Sequence, residues 1–419
     1  MADLPPTPEG SQHARAGVAG PSTGLENLRG AARLRAVLGA PGTGALLFAR
    51  TLGSLPVGMV PLGIILLLRA AGRSYALAGL ADGAYALGLA AMQPLLGRLI
   101  DRAGMGRVLA PLAIVFPAGL VGLTLAGSGG APAALTVALA LLCGATLPPL
   151  GACMRSLWPA LIAGPALRPA AYAIDAVLQE LAFVLGPPLL ALLVVLASPR
   201  VALFAAAGAG AVGASAFASL ARSRHAPTRR ASGALRSGRV RRLLLLSMLL
   251  GGSFGATEVA MPAFCEHHGA RASAGLILAA LALGSASGGA IFGARAPRAS
   301  VPRRLLVALG AYSVLLTPLL LAPSIPVMAA LAFAAGMPIA PVFAGAYLLL
   351  DRFAVAGAAT ETFAWNTSAI FVGASIGTAV GGALIAPGSY RAALGLAVSL
   401  GLACLLLVTA YARRAQLSD

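Results

Sequence analysis

The chain has 419 residues, of which 59% are hydrophobic and 10% charged, whereas a soluble globular domain is about one quarter charged. With a mean hydropathy of +0.89, most of its surface must face lipid, which excludes a water-soluble enzyme or binding module. The net charge of +18 comes from 30 basic residues, all of them Arg; their distribution, not their total, decides between a nucleic acid and a membrane as the partner.

Residues 1–43 are polar and rich in Pro, Gly and Ala, without the early apolar core of a signal peptide. They are expected to be a disordered cytoplasmic tail, with a short basic helix around Leu28–Leu38 near the membrane surface. Twelve apolar segments follow, at about 44–68, 75–96, 107–127, 132–155, 170–197, 201–220, 243–264, 273–293, 305–322, 325–350, 358–386 and 391–411. Each is close to the roughly 20 residues that a helix needs to cross the hydrocarbon. Spans 1–6 make an N-terminal bundle (44–220) and spans 7–12 a C-terminal one (243–412). The basic stretch 221–242 joins them, and 413–419 is a short cytoplasmic tail.

With the N-terminus inside, inner segments carry 24 Arg and outer loops 5, the bias expected of cytoplasmic loops. The charge is therefore a topogenic signal and a contact surface for anionic lipids, and a nucleic-acid partner is set aside. In span 1, Pro56 and Pro61 predict a bent helix. Pro148 and Pro149 do so in span 4, and Pro338 and Pro341 in span 10. Trp158, just past span 4, reads as an interface anchor.

The inner connection between spans 2 and 3 reads Gly97-Arg98-Leu99-Ile100-Asp101-Arg102-Ala103-Gly104-Met105-Gly106-Arg107. Gly97 permits close helix approach and Gly104 a tight turn. Asp101 can accept hydrogen bonds at a helix end or from Arg. This run resembles the loop 2–3 signature of the major facilitator superfamily. The resemblance extends from about residue 44 to 412. It implies an all-α integral membrane fold of two six-helix bundles, with Gly97, Asp101, Arg102, Gly104 and Arg107 forming a loop that latches the halves in the outward-facing state.

The second copy, Gly293-Ala294-Arg295-Ala296-Pro297-Arg298, has lost the Asp. Gly186-Pro187-Pro188 of span 5 fits a further family element, but Ala182, Leu190 and Ala191 stand where its exporters often carry Gly. The mid-helix Arg usual in span 4 is also missing, since Arg155 is placed at the inner end. Span 11 has its own glycines, Gly373, Gly377, Gly381 and Gly382, spaced for helix packing.

The halves repeat. Ala78-Gly79-Leu80, Gly88 and Gly97 recur 196 residues on, Gly144 and Pro149 recur 192 on, and Asp175 and Gly186 match Asn366 and Gly377, 191 on. Duplicated halves of this kind place a substrate site at their interface near the midplane.

Ionisable residues inside spans are costly and so are functional candidates. Glu180, about 15 Å into span 5, is the leading proton carrier or substrate counter-ion; the other reading is a fixed ion pair with Arg50 of span 1. Asp175, Gln179 and Phe183 share a face of span 5 with Tyr172, and Arg155 could neutralise Asp175 as a structural or gating pair. Trp365 beside Asn366 in span 11 suits a solute site. Glu258 of span 7 and Asp82 of span 2 could join a proton path. Glu361, at the start of span 11, reads as a structural charge at a helix N-terminus.

Four His, none in a span with a carboxylate partner, and the lack of a Gly-Lys-Ser/Thr loop or a nucleophile–base pair leave no enzyme reading. The four Cys form no metal-type pair, and no cofactor is implied. The expected function is secondary transport of a small molecule across the cell membrane, by a monomer with both termini cytoplasmic. Proton-coupled efflux of an amphiphilic or drug-like metabolite is preferred, because the spans carry few polar groups to replace a sugar's hydration. Uptake of a small polar metabolite is the alternative. Protonation of Glu180 as the coupling step is a hypothesis.

Overall fold

A computed structural model describes residues 30–162, 164–222, 233–270, 273–295, 299–385 and 389–416, the side chains of 411–416 excepted. The expected disordered tail through residue 29, most of the basic linker and the Ala296-Pro297-Arg298 end of the second motif lie outside these residues.

Among the described residues, twelve helices are long and apolar enough to cross a membrane. Spans 1–6 are Thr43–Ala70, Tyr75–Ala103, Met105–Ser128, Ala133–Leu161, Pro165–Leu196 and Pro199–Ala221. Spans 7–12 are Gly238–His267, Ala274–Ala294, Val301–Leu321, Ile325–Phe353, Ala359–Ile385 and Tyr390–Ala410. Several outrun the apolar segments read from sequence. Backbone hydrogen bonding within a helix does not stop where side chains become polar, so span 2 continues from 96 to Ala103. It meets span 3 across Gly104 alone, whose φ of 91° only glycine adopts readily.

The prolines act unequally. Span 4 breaks between Thr146 and Leu150, and span 10 between Gly336 and Ile339. Span 1 instead runs as one helix through Pro56 and Pro61, so no break is found there.

Within the first half, span 1 packs on spans 5 and 6, span 2 on span 4, and span 3 on span 6. The second half repeats each pairing: 7 on 11 and 12, 8 on 10, and 9 on 12. The repeated glycines explain why the pairings recur. A Cβ on Gly88 would lie 2.2 Å from the Leu141 carbonyl oxygen, and one on Gly144 1.9 Å from that of Tyr85. Their counterparts Gly284 and Gly336 would meet Phe333 and Leu281 oxygens, each at 2.0 Å. Lipid offers apolar side chains no drive to associate, so backbone contact of this kind holds the helices together. Spans 5 and 11 use Gly186 and Gly377 likewise, against Gly58 and Gly252.

The halves meet through span 2 on span 11, span 5 on span 8 and span 10, and the end of span 4 on span 11. Gly30 at the end of span 8 and Gly233 beside Arg98 and Glu361 mark one end of the bundle, here the tail side. A short helix, Ala31–Leu38, docks there against spans 5 and 8 with Arg33 buried. Its Arg33 finds a backbone carbonyl at Ala166, while Ala31, Arg35 and Leu38 stay exposed.

Candidate functional site

The polar centre is built from three helices of the first half. Arg50 of span 1, Arg155 of span 4 and Asp175 of span 5 are 0%, 2% and 0% exposed, so the spans bury three charges together. Asp175 Oδ2 accepts from Arg155 Nε at 2.7 Å, and Asp175 Oδ1 lies 3.5 Å from Arg50 Nη2. Gln179, one turn along span 5, accepts from Arg50 Nη2 at 3.0 Å and Arg155 Nη2 at 3.1 Å. Two guanidinium groups thus share one carboxylate and one amide oxygen, leaving one positive charge in excess. Arg50 Nε and Nη1 are buried without a hydrogen-bond partner.

The second half closes over this cluster. Tyr347 of span 10 stacks on Arg155, whose guanidinium carbon is 4.2 Å from the ring centroid. Tyr347 and Phe363 of span 11 also flank Tyr172, with ring centroids 6.3 and 6.2 Å away.

Three expectations are corrected here. Arg50 pairs with Asp175 and Gln179, not Glu180, because span 5 turns Asp175 and Gln179 toward span 1 and leaves Glu180 on an adjoining face. Arg155 does not lie at the inner end of span 4; the helix runs on to Leu161 and the residue is buried in the polar centre. Trp158 is 0% exposed, one turn beyond it in the same core, and so is not an interface anchor.

Glu180 of span 5 is partly buried and Glu258 of span 7 is exposed. Phe183, a turn further, packs on Phe371 of span 11 with centroids 5.7 Å apart. Asn366, the repeat counterpart of Asp175, is buried and accepts from Ser247 of span 7 at 2.6 Å. The repeat therefore keeps a polar tie between equivalent helix pairs, charged in one half and neutral in the other. Trp365 is half-buried beside it. Asp82 is half-buried one turn from Tyr85 on span 2 and does not join the central cluster.

On the tail side, the motif residues form a junction between halves. Gly97 lets span 2 touch span 11, its would-be Cβ lying 2.8 Å from Ala364 Cβ and 2.9 Å from Glu361 Cα. Asp101, 2% exposed, accepts from the backbone N–H groups of Thr360 (3.1 Å) and Glu361 (2.8 Å). These N–H groups open span 11, so the carboxylate sits on the positive end of a helix dipole. Arg98 grips Glu361 with two hydrogen bonds, at 3.0 and 3.3 Å. Arg102 and Arg107 are exposed and take no part.

A second ion pair, Arg168–Asp351 at 3.6 Å, ties span 5 to span 10, and the Ser368 hydroxyl donates to the Ala90 carbonyl. The hydrogen bonds and ion pairs found between halves among the described residues all lie from mid-span to the tail side.

Sequence reading missed Arg98, Arg168, Tyr347 and Asp351, and took Glu361 as a local helix-end charge. Asp351 and Arg168 carried a signal, as opposite charges at the inner ends of spans 10 and 5. Tyr347 carried none.

Two six-helix bundles related by an internal repeat, in contact through spans 2, 4, 5, 8, 10 and 11 and closing over a buried polar centre, make up a multi-pass membrane protein. The profile of the Major Facilitator Superfamily matches residues 45–360, and the chain belongs to that family. It is a small-molecule transporter, not an enzyme.

Its fold is similar to the crystal structure of the human organic anion transporter MFSD10 (17% identity, 90% of this chain and 99% of that one, TM-score 0.68). It is also similar to a bacterial homologue of the iron transporter ferroportin, outward-facing with soaked iron (14% identity, 88% and 98%, TM-score 0.73). A further structure of a bacterial homologue of the iron transporter ferroportin, in the outward-facing state, is similar at 14% identity over 93% and 99% of the chains, TM-score 0.71. No curated protein sequence matches the chain.

Proposed function

We propose that the protein is a proton-coupled exporter in the cell membrane, moving an amphiphilic or drug-like metabolite outward as its halves rock about the polar centre. The tail side is taken as cytoplasmic from the excess of Arg on it, so the state described here faces outward. What supports the coupling is a pair of ionisable residues inside spans, Glu180 of span 5 and Glu258 of span 7, one on each half. A carboxylate there can exchange a proton for a cationic or neutral solute group as access alternates.

One observation favours the second reading, uptake of a small polar metabolite. The central cluster holds two Arg against one Asp, which suits an anionic solute. Protonating Glu180 would remove a nearby negative charge and strengthen anion binding. Proton and anion would then load together and move inward as a symport. The human protein of similar fold is an organic anion transporter; at 17% identity that likeness concerns the fold.

Proteoliposomes with an internal pH-sensitive dye and an imposed proton gradient separate the readings. Under the exporter reading, cationic or neutral amphiphiles evoke proton counterflow. Under the second reading, only anionic solutes move protons, and in the same direction as themselves. Either flux should vanish in Glu180→Gln, and a variant that couples as well as the natural protein would remove Glu180 from the mechanism.

A further inference from the structure

The tail-side seam has two repeat-related parts, and only one keeps its acidic residue. In the first, Gly97 of span 2 lies against Glu361 and Ala364 of span 11. In the second, Gly293 of span 8 lies against Ala170 and Ala173 of span 5, which precede Glu361 and Ala364 by the 191 residues that separate spans 5 and 11 throughout. Asp101 secures the first part from one turn beyond Gly97. The residue 196 further on is Pro297, which has neither a carboxylate nor a backbone donor.

The helix Ala31–Leu38 stands at this second part. Arg33 is fully buried and donates to the Ala166 carbonyl, in the turn that leads into span 5. That bond, with the short turn into span 1, fixes the helix to the first half. The helix packs on span 5 as well, and two of its contacts reach the second half. Leu34 Cδ2 lies 3.0 Å from where a Cβ of Gly293 would be, and the Gly30 N–H donates to the Ala294 carbonyl at 3.0 Å. Ala294 is the counterpart of Arg98, which secures the first part through Glu361.

We infer that the helix Ala31–Leu38 is a strap that replaces the lost acidic latch of the second half, holding the tail side closed in one state of the transport cycle. Opening the tail side parts span 8 from span 5. The contacts of Gly30 and Leu34 must then break, while Arg33 keeps the strap on the first half. A contact present in only one of two states shifts their balance by its full free energy. Losing the apolar contact that Leu34 makes with span 8 corresponds to about a tenfold change in the ratio.

The test is a distance measurement on the full chain in lipid nanodiscs, independent of the transported solute. Spin labels replace Ala160 of span 4 and Arg352 of span 10, both exposed at the tail side, with the four native Cys changed to Ala. Leu34→Ser weakens the grip on the second half, and Arg33→Ala releases the strap from the first. Each should raise the population of the longer distance about tenfold, as Asp101→Asn should at the other part of the seam. Distance distributions for both strap variants that match the natural protein would overturn the inference, whatever Asp101→Asn does.

Discussion

Asp175 lies against two guanidinium groups at once, and both are out of reach of solvent. A buried charge is tolerable only while it is paired, because the loss of its hydration is otherwise uncompensated. Asp175→Ala would leave Arg50 and Arg155 facing each other with only Gln179 between them. The expected loss of stability is about 3–5 kcal/mol, read as a lowered apparent Tm in detergent. Asp175→Asn keeps a hydrogen-bond acceptor and should lose less. Equal stability for Ala and the natural residue would mean that water or an ion already serves the two Arg. The opposite case is Asn366, whose tie to Ser247 is neutral, so its replacement strands no charge.

At the scale of elements, helix pairs are set by which glycines face a neighbouring backbone. Gly144 and Gly79 look alike in the sequence, yet a Cβ on Gly144 would strike the Tyr85 carbonyl at 1.9 Å while one on Gly79 would meet nothing within 4 Å. Gly144→Ala must push spans 2 and 4 apart, at about 1–3 kcal/mol. Gly79→Ala adds only helix propensity and should be neutral or slightly stabilising. Thermal unfolding of the two variants side by side checks this, and a common response would show that the span 2–4 contact yields freely. The breaks in spans 4 and 10, next to these contacts, fall at proline-containing turns, where missing N–H donors weaken the helix.

At the scale of the whole molecule, the two halves are stiff bodies whose contacts concentrate toward one end. Anything that loosens one part of the tail-side seam should therefore loosen all of it. Asp101→Asn removes the charge from the start of span 11 and keeps the shape. Hydrogen exchange should quicken at the backbone amides of Thr360 and Glu361, and also at 170–173, on the far part of the seam, which Asp101 does not touch. Faster exchange confined to the start of span 11 would show a local fraying, and the rigid-body description would fail.

Much was open to reading before any contact was seen. The number of spans, the division into halves and the repeat of glycines follow from hydrocarbon thickness and from backbone approach, and both write themselves into local composition. The partnership of Asp101 with a helix start, and of Asp175 with Arg155, lay within reach because acidic residues are so few. The alternative of a fixed pair between Arg50 and Glu180 is not what the structure shows, since Arg50 meets Asp175 and Gln179. Periodicity gives the angle between two residues on one helix and says nothing of which neighbour each angle meets. Trp158 and Arg155 were misjudged for a related reason: hydropathy marks where polar residues begin, whereas span 4 carries them inward to Leu161.

The sequence by itself determined that this is a twelve-span membrane protein of duplicated halves, because lipid admits only apolar helices and duplication leaves constant offsets. Only the tertiary structure decided which charges meet and which end of the bundle is shut. Those depend on the rotation and depth at which one rigid helix lies against another, and on side chains far apart in the chain, such as Arg98 with Glu361 and Arg33 with Ala166, arriving at the same place.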